Sequence, residues 1–142
     1  MVALLAAGAM WGIARLAPLV DLPQSIRIGA AIACAVAGVA VSVAGIVSFR
    51  LAKTTVNPMH PENTSALVCS GIYRLTRNPM YLGLALLLVA WAVYLSSAWS
   101  LLGLPAFMLY MNRFQIAPEE RALAAMFGVS YAAYRSKVRG WL

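Results

Sequence analysis

The chain has 142 residues, of which 63 % are hydrophobic and only 11 % charged, and it carries a net charge of +7. A soluble domain carries about 25 % charged residues, so the composition argues against one and for a single membrane domain whose apolar surface faces lipid. A nucleic-acid partner is disfavoured too, because the basic residues stand at the ends of apolar runs rather than in a stripe.

A helix needs about 20 apolar residues to cross a bilayer. Met1–Val20 is the first such run, interrupted only by Arg15; no basic residue precedes its apolar stretch, so it does not read as a signal peptide. "DLPQS" (21–25) is a turn. Ile26–Phe49 is the second span, and its Ala, Gly and Val content suits close helix packing in lipid. Arg50–Asn78 is a polar, largely irregular connection holding Pro58 and Pro61. Pro79–Ser96 is the third span, "SSAWS" a tight hairpin, and Trp99–Ile116 the fourth span. Pro118 then opens a last helix, 119–139. Its Leu123, Met126, Phe127, Tyr131, Tyr134 and Val138 recur at spacings of three and four, the pattern of a helix lying in an interface or against the protein. The expected architecture is all-α, four transmembrane helices plus a C-terminal amphipathic helix, in one domain.

With four spans, Arg50, Lys53, Arg74, Arg77, Arg113, Arg121, Arg135, Lys137 and Arg139 share one side, and only Arg15 and Arg27 fall on the other. The positive-inside rule then places both termini, the central loop and the last helix in the cytoplasm. Two polar segments, 50–78 and 113–142, thereby share one membrane face.

Each polar cluster has a plain structural reading. In "GIYRLTRNPMYLG" (71–83), Asn78 caps the third span, Pro79 suits a first helical turn, Arg74 and Arg77 anchor the boundary, and Tyr73 and Tyr81 join an aromatic belt. In "PEE" (118–120), two acids favour the start of a helix dipole. Arg113 either snorkels or faces a ligand. His60 reads as a loop residue rather than a base, and Tyr131 and Tyr134 as packing residues. Cys34 reads as a packing residue and Cys69 as a loop residue; with no Cys/His cluster, no metal site is expected. Together, though, the two segments supply arginines, tyrosines and a carboxylate pair. That set suits a ligand with both charges and an aromatic part. No phosphate-cradling glycine loop and no Ser-His-Asp arrangement is present.

The order "G-x-Y-R-x-x-R-N-P-M-Y-x-G", a hydrophobic hairpin, then "E-E-R-x-L-x-x-x-F-G-x-x-Y-x-x-Y" resembles the isoprenylcysteine carboxyl methyltransferase family and the related phospholipid N-methyltransferases, from about Thr54 to Val138. "TTVNP" and "LV-x-x-GIYR" look like bacterial members of that group. The resemblance implies a membrane methyltransferase using S-adenosylmethionine, with a cofactor pocket at the cytoplasmic face. Carried over by position, it points to Tyr73, Arg77, Asn78, Pro79, Tyr81, Gly83, Glu119 and Glu120 for cofactor binding; Glu120 and Arg113 are the candidates for the reaction itself. In such a pocket a carboxylate would accept from the ammonium or ribose, Arg77 would pair with the carboxylate, and Tyr73 and Tyr81 would stack on adenine or lie near the sulfonium. Many members have His where this chain has Asn78, which argues for binding rather than proton transfer there. The acceptor expected is lipophilic or amphipathic: a prenyl thioether carboxylate, a lipid amine or a thiol.

Two other readings compete. A membrane sterol reductase binding NADPH would want a denser basic cluster for the extra phosphate. A small four-helix exporter would bury an acid within a span, whereas Asp21, Glu62, Glu119 and Glu120 all fall outside the four. A non-catalytic scaffold is the remaining alternative.

Overall fold

Long apolar runs rich in Ala and Leu favour helix, and every regular element is helical in the computed structural model, which describes residues 1–17, 20–52 and 67–142. The elements are α1 (Val2–Leu16), α2 (Gln24–Leu51), a 3₁₀ turn (Gly71–Arg74), α3 (Pro79–Leu95), a second 3₁₀ turn (Ala98–Leu102), α4 (Gly103–Met111), a π-helical turn (Asn112–Ile116) and α5 (Ala117–Lys137). The all-helical expectation therefore holds among the described residues. His60, Asn57, Glu62, Asn63 and "TTVNP" lie outside them.

Span lengths differ from the expectation. Only α2, with 28 residues, is long and apolar enough among the described helices to cross a membrane, about 42 Å at 1.5 Å per residue. The first and third expected spans are apolar helices of 15 and 17 residues. The expected fourth span is not one α-helix: 3₁₀, α and π geometry follow one another from Ala98 to Ile116. Pro118 stands in the first turn of α5, as expected, but no loop precedes that helix. Ile116 and Ala117 keep helical dihedrals, so the chain runs directly from the π turn into α5. Proline is tolerated there because a first-turn N–H needs no intrahelical partner. α5 is itself bent at Gly128, whose φ of 48° and ψ of −119° interrupt the helix.

Chain contacts divide the fold into two units, Met1–Ala40 with Gly83–Tyr110 and Val41–Leu82 with Met111–Leu142. In the first, α1 packs on the Ala98–Leu102 turn. The Met10 side chain is fully buried, and Ser100 Oγ donates to Met10 O at 3.0 Å. Ser96, at φ 50°, turns the hairpin, and its carbonyl accepts from Val20 N at 2.6 Å. α2 and α3 approach closely at Gly38: a Cβ there would stand 2.8 Å from the Gly83 carbonyl oxygen and 3.2 Å from Leu86 and Leu87. Because backbone cannot move aside cheaply, Gly38→Ala is expected to cost about 1–3 kcal/mol. Gly29→Ala, on the same helix with open space around it, is expected to be neutral or to gain up to about 1 kcal/mol. Denaturant unfolding in detergent separates the two; equal effects would refute the close approach.

In the second unit the end of α2, the 71–82 segment and the C-terminal helix form one core. Tyr73 is 5 % exposed and meets Phe49 edge-on, with ring centroids 5.2 Å apart at 89°. It is a core residue, not part of an aromatic belt. On α5, Tyr131 is buried, and Leu123, Phe127 and Tyr134 are partly covered as the spacing predicts; Met126 is exposed, and Val138 lies past the helix end in extended conformation.

Candidate functional site

Two local features aim the 71–78 segment. Gly71 has φ 60°, and a Cβ there would lie 2.7 Å from Ser48 Oγ, so a side chain is excluded by conformation and by space. The 3₁₀ turn that follows seats Tyr73 in the core. Pro79, fully buried against the glycine at position 45 of α2, then starts α3. Between them, Thr76, Arg77 and Asn78 hold the C-terminal tail. Thr76 Oγ1 donates to Gly140 O (3.0 Å) and accepts from Asn78 N (3.2 Å). The Asn78 carboxamide donates to Gly140 O (2.9 Å), and Arg77 N to Arg139 O (3.0 Å).

Arg77 is the hub. Its Nη2 meets Glu120 Oε1 at 2.7 Å, and its Nη1 donates to the carbonyls of Arg135 (3.1 Å) and Val138 (2.9 Å), groups left open at the end of α5. Glu120 Oε2 also faces Arg135 at 3.5 Å. The Arg77 and Glu120 side chains are only 14 % and 16 % exposed. Arg77 Nε is buried without a hydrogen-bond partner.

Beside this pair, the Tyr81 hydroxyl donates to Glu119 Oε1 in a short hydrogen bond. Burial pushes the Glu119 carboxyl above the usual carboxylate range, and the Tyr81 hydrogen bond pulls part of that back. Glu119 Oε2 takes no hydrogen bond from the described residues. Tyr134 donates to the Tyr73 carbonyl at 2.7 Å. Burial first, then neighbouring negative groups, keep the Tyr73 hydroxyl protonated well beyond neutral pH; burial does the same for Tyr134.

The second unit thus gathers Tyr73, Arg77, Asn78, Pro79, Tyr81, Glu119 and Glu120. Gly83 is not among them: it falls in the first unit, against Gly38. Arg113 is exposed in the π turn, and no hydrogen bond or ion pair joins it to the cluster. Sequence reasoning missed Thr76, which is fully buried, and the tail 139–141, whose Trp141 indole donates to Asn112 Oδ1 at 2.9 Å. A threonine two residues before an Asn-Pro pair is a weak turn signal, and nothing in "VRGW" announces a strap.

A family model described as phospholipid methyltransferase matches residues 26–130, from the start of α2 through the bend of α5. The chain belongs to the phospholipid methyltransferase family. A protein of Haemophilus influenzae with no described function is 48 % identical over 63 residues, 44 % of this chain and the whole of that protein. No solved structure matches the chain. Membership makes this a methyltransferase-family protein associated with membranes, in keeping with the apolar length of α2.

S-adenosylmethionine is the cofactor this family implies, and the donor set is chemically suited to it. A half-buried carboxylate with one open oxygen favours a cationic or hydroxyl-bearing group, and half-buried Tyr81 beside it offers an aromatic face. Arg77 suits it less directly than the sequence suggests. Both its terminal nitrogens are already engaged within the chain, so it orders the site rather than standing open to a carboxylate.

Proposed function

We propose that the chain is a membrane-embedded methyltransferase that uses S-adenosylmethionine to methylate a lipophilic or amphipathic acceptor. The observation that carries the reading is the junction of Tyr81–Glu119 and Arg77–Glu120, at the starts of α3 and α5, in a chain of the phospholipid methyltransferase family. The cofactor supplies an activated methyl group on a sulfonium when bound. Glu119, fixed by Tyr81, offers its open oxygen to the ammonium or a ribose hydroxyl. Glu120, locked by Arg77, adds negative charge beside it. The Arg77 fork and the Thr76–Asn78 contacts keep the 139–141 tail closed on the site, which excludes water and holds geometry. Alignment and dryness are what an in-line methyl transfer demands of a protein. A carboxylate or thiolate acceptor needs no strong base, which fits the scarcity of acid–base groups.

In this reading residues 1–142 form one methyltransferase domain, since α2 and α3 each run through both units. The helices before the last make four passes of the cytoplasmic membrane, the shorter ones thinning the bilayer locally, and both termini face the cytoplasm. The polar cofactor arrives from the cytosol and the acceptor from the bilayer. Arg113 lies outside the site so defined.

Calorimetry on the detergent-solubilised protein is expected to show S-adenosylmethionine binding that Glu120→Ala weakens tenfold or more, at least about 1.4 kcal/mol. Absence of binding by the intact protein would overturn the reading. Release of S-adenosylhomocysteine with a prenyl thioether carboxylate, a lipid amine or a hydrophobic thiol then identifies the acceptor class.

A further inference from the structure

Arg27, in the first turn of α2, is a half-buried cation without a carboxylate partner among the described residues. Its Nη1 reaches Ser96 Oγ at 3.5 Å, and its guanidinium carbon lies 5.8 Å from the centroid of the Tyr94 ring. Its Nε is buried and makes no hydrogen bond. Ser97, next to Ser96 and 3 % exposed, likewise has an Oγ with no partner. An unpartnered guanidinium Nε and an unpartnered hydroxyl on the adjoining hairpin are costly, and a polyoxygen anion would supply acceptors there.

The same tyrosine continues into an apolar groove of about 300 Å³, lined by Ala31, Ile32, Ala35, Leu87, Ala90, Trp91 and Tyr94. The alanines leave the slot open, and its aromatic wall is rigid. The Trp91 indole donates to Ala7 O at 3.0 Å, and its ring stacks on Tyr94 at 5.6 Å and 18°. A cationic head site therefore runs into a hydrocarbon slot through one shared residue.

We propose that this is a binding site for an anionic phospholipid, its phosphate on Arg27 beside Ser96 and Ser97 and an acyl chain in the α2–α3 groove. Guanidinium and phosphate match in geometry and charge. A packed helix from a second copy would fill the groove but leave the guanidinium unpaired. Arg27 stands at the opposite end of α2 from Arg50. A phosphatidylglycerol bound here has no amine to methylate, so the lipid is a bound component rather than a methyl acceptor. The proposal is independent of the methyltransferase reading.

The test is thermal unfolding of the detergent-purified protein with phosphatidylglycerol, phosphatidylcholine or inorganic phosphate. Phosphatidylglycerol is expected to raise the unfolding temperature more than phosphatidylcholine, and inorganic phosphate to leave it unchanged. Arg27→Gln should abolish the phosphatidylglycerol excess, and Arg27→Lys should keep part of it. Ala35→Phe, which fills the groove and leaves the head site intact, should weaken phosphatidylglycerol binding at least fivefold by native mass spectrometry. Equal responses to the two lipids, an undiminished preference in Arg27→Gln, or a matching shift from inorganic phosphate would overturn the proposal. If Arg27→Gln does not elute as a single helical species, Ala35→Phe and Ser97→Ala decide it by the same binding measurement.

Discussion

Arg77→Ala is expected to lower the unfolding free energy by about 3 kcal/mol and to free the C-terminal tail. Removing one partner of a buried ion pair costs about 3–5 kcal/mol, because the other charge stays buried and uncompensated. Here Glu120 would keep only Arg135, which is 58 % exposed and 3.5 Å away, a contact of the kind worth about 0–1 kcal/mol. That residual partner is why the low end of the range applies. The Arg135 and Val138 carbonyls would also lose their shared donor, and unmade hydrogen bonds at a helix end add to the loss. Arg77→Lys should fall between, since an ammonium keeps the charge but not the planar fork. Arg135→Ala should cost under about 1 kcal/mol. Denaturant unfolding in detergent measures the stabilities. Trypsin cleavage after Arg135, Lys137 and Arg139 measures release of the tail. An Arg77→Ala protein that unfolds like the wild type, with its tail equally protected, would show that the fork holds nothing.

That hub was half legible in the sequence. Arg77 and Glu120 stand in motifs whose order marks the family, and charge spacing predicts that they share a membrane face. What the sequence hid is what Arg77 holds. Its principal partners besides Glu120 are main-chain carbonyls of 135 and 138, and a carbonyl carries no residue-type signal. The tail was illegible for the same reason: Gly140 and Arg139 act through their backbone oxygens. The helical class and the third-span start at Pro79 were readable from apolar runs and proline chemistry. Helix type within 98–116 was not, because 3₁₀, α and π turns differ by one residue in hydrogen-bond register and share the same apolar composition. The bend at Gly128 illustrates the limit of periodicity. Leu123 and Phe127 before it and Tyr131 after it keep their spacing, so the pattern reads as one straight helix. A glycine inside a helix is a weak breaker, and only its positive φ reveals the break.

Glu119→Gln is expected to stabilise the fold at neutral pH while weakening S-adenosylmethionine binding tenfold or more, about 1.4 kcal/mol at least. A carboxyl raised by burial binds its proton more tightly in the folded chain than in the unfolded one, where its value is about 4.3. Stability therefore falls as pH rises from that value through the higher folded one, and the penalty is complete above it. Glutamine carries no such penalty, and its carbonyl still accepts from the Tyr81 hydroxyl, so the local geometry survives. The variant should melt above the wild type at pH 7, and the two should converge as pH falls below about 4. Binding should move the other way, because an amide cannot offset the charge of an ammonium. Opposed changes in stability and binding are what a strained functional group produces and a structural one does not. A Glu119→Gln protein that is less stable at pH 7 and binds S-adenosylmethionine normally would assign Glu119 to the architecture of the α3–α5 junction alone.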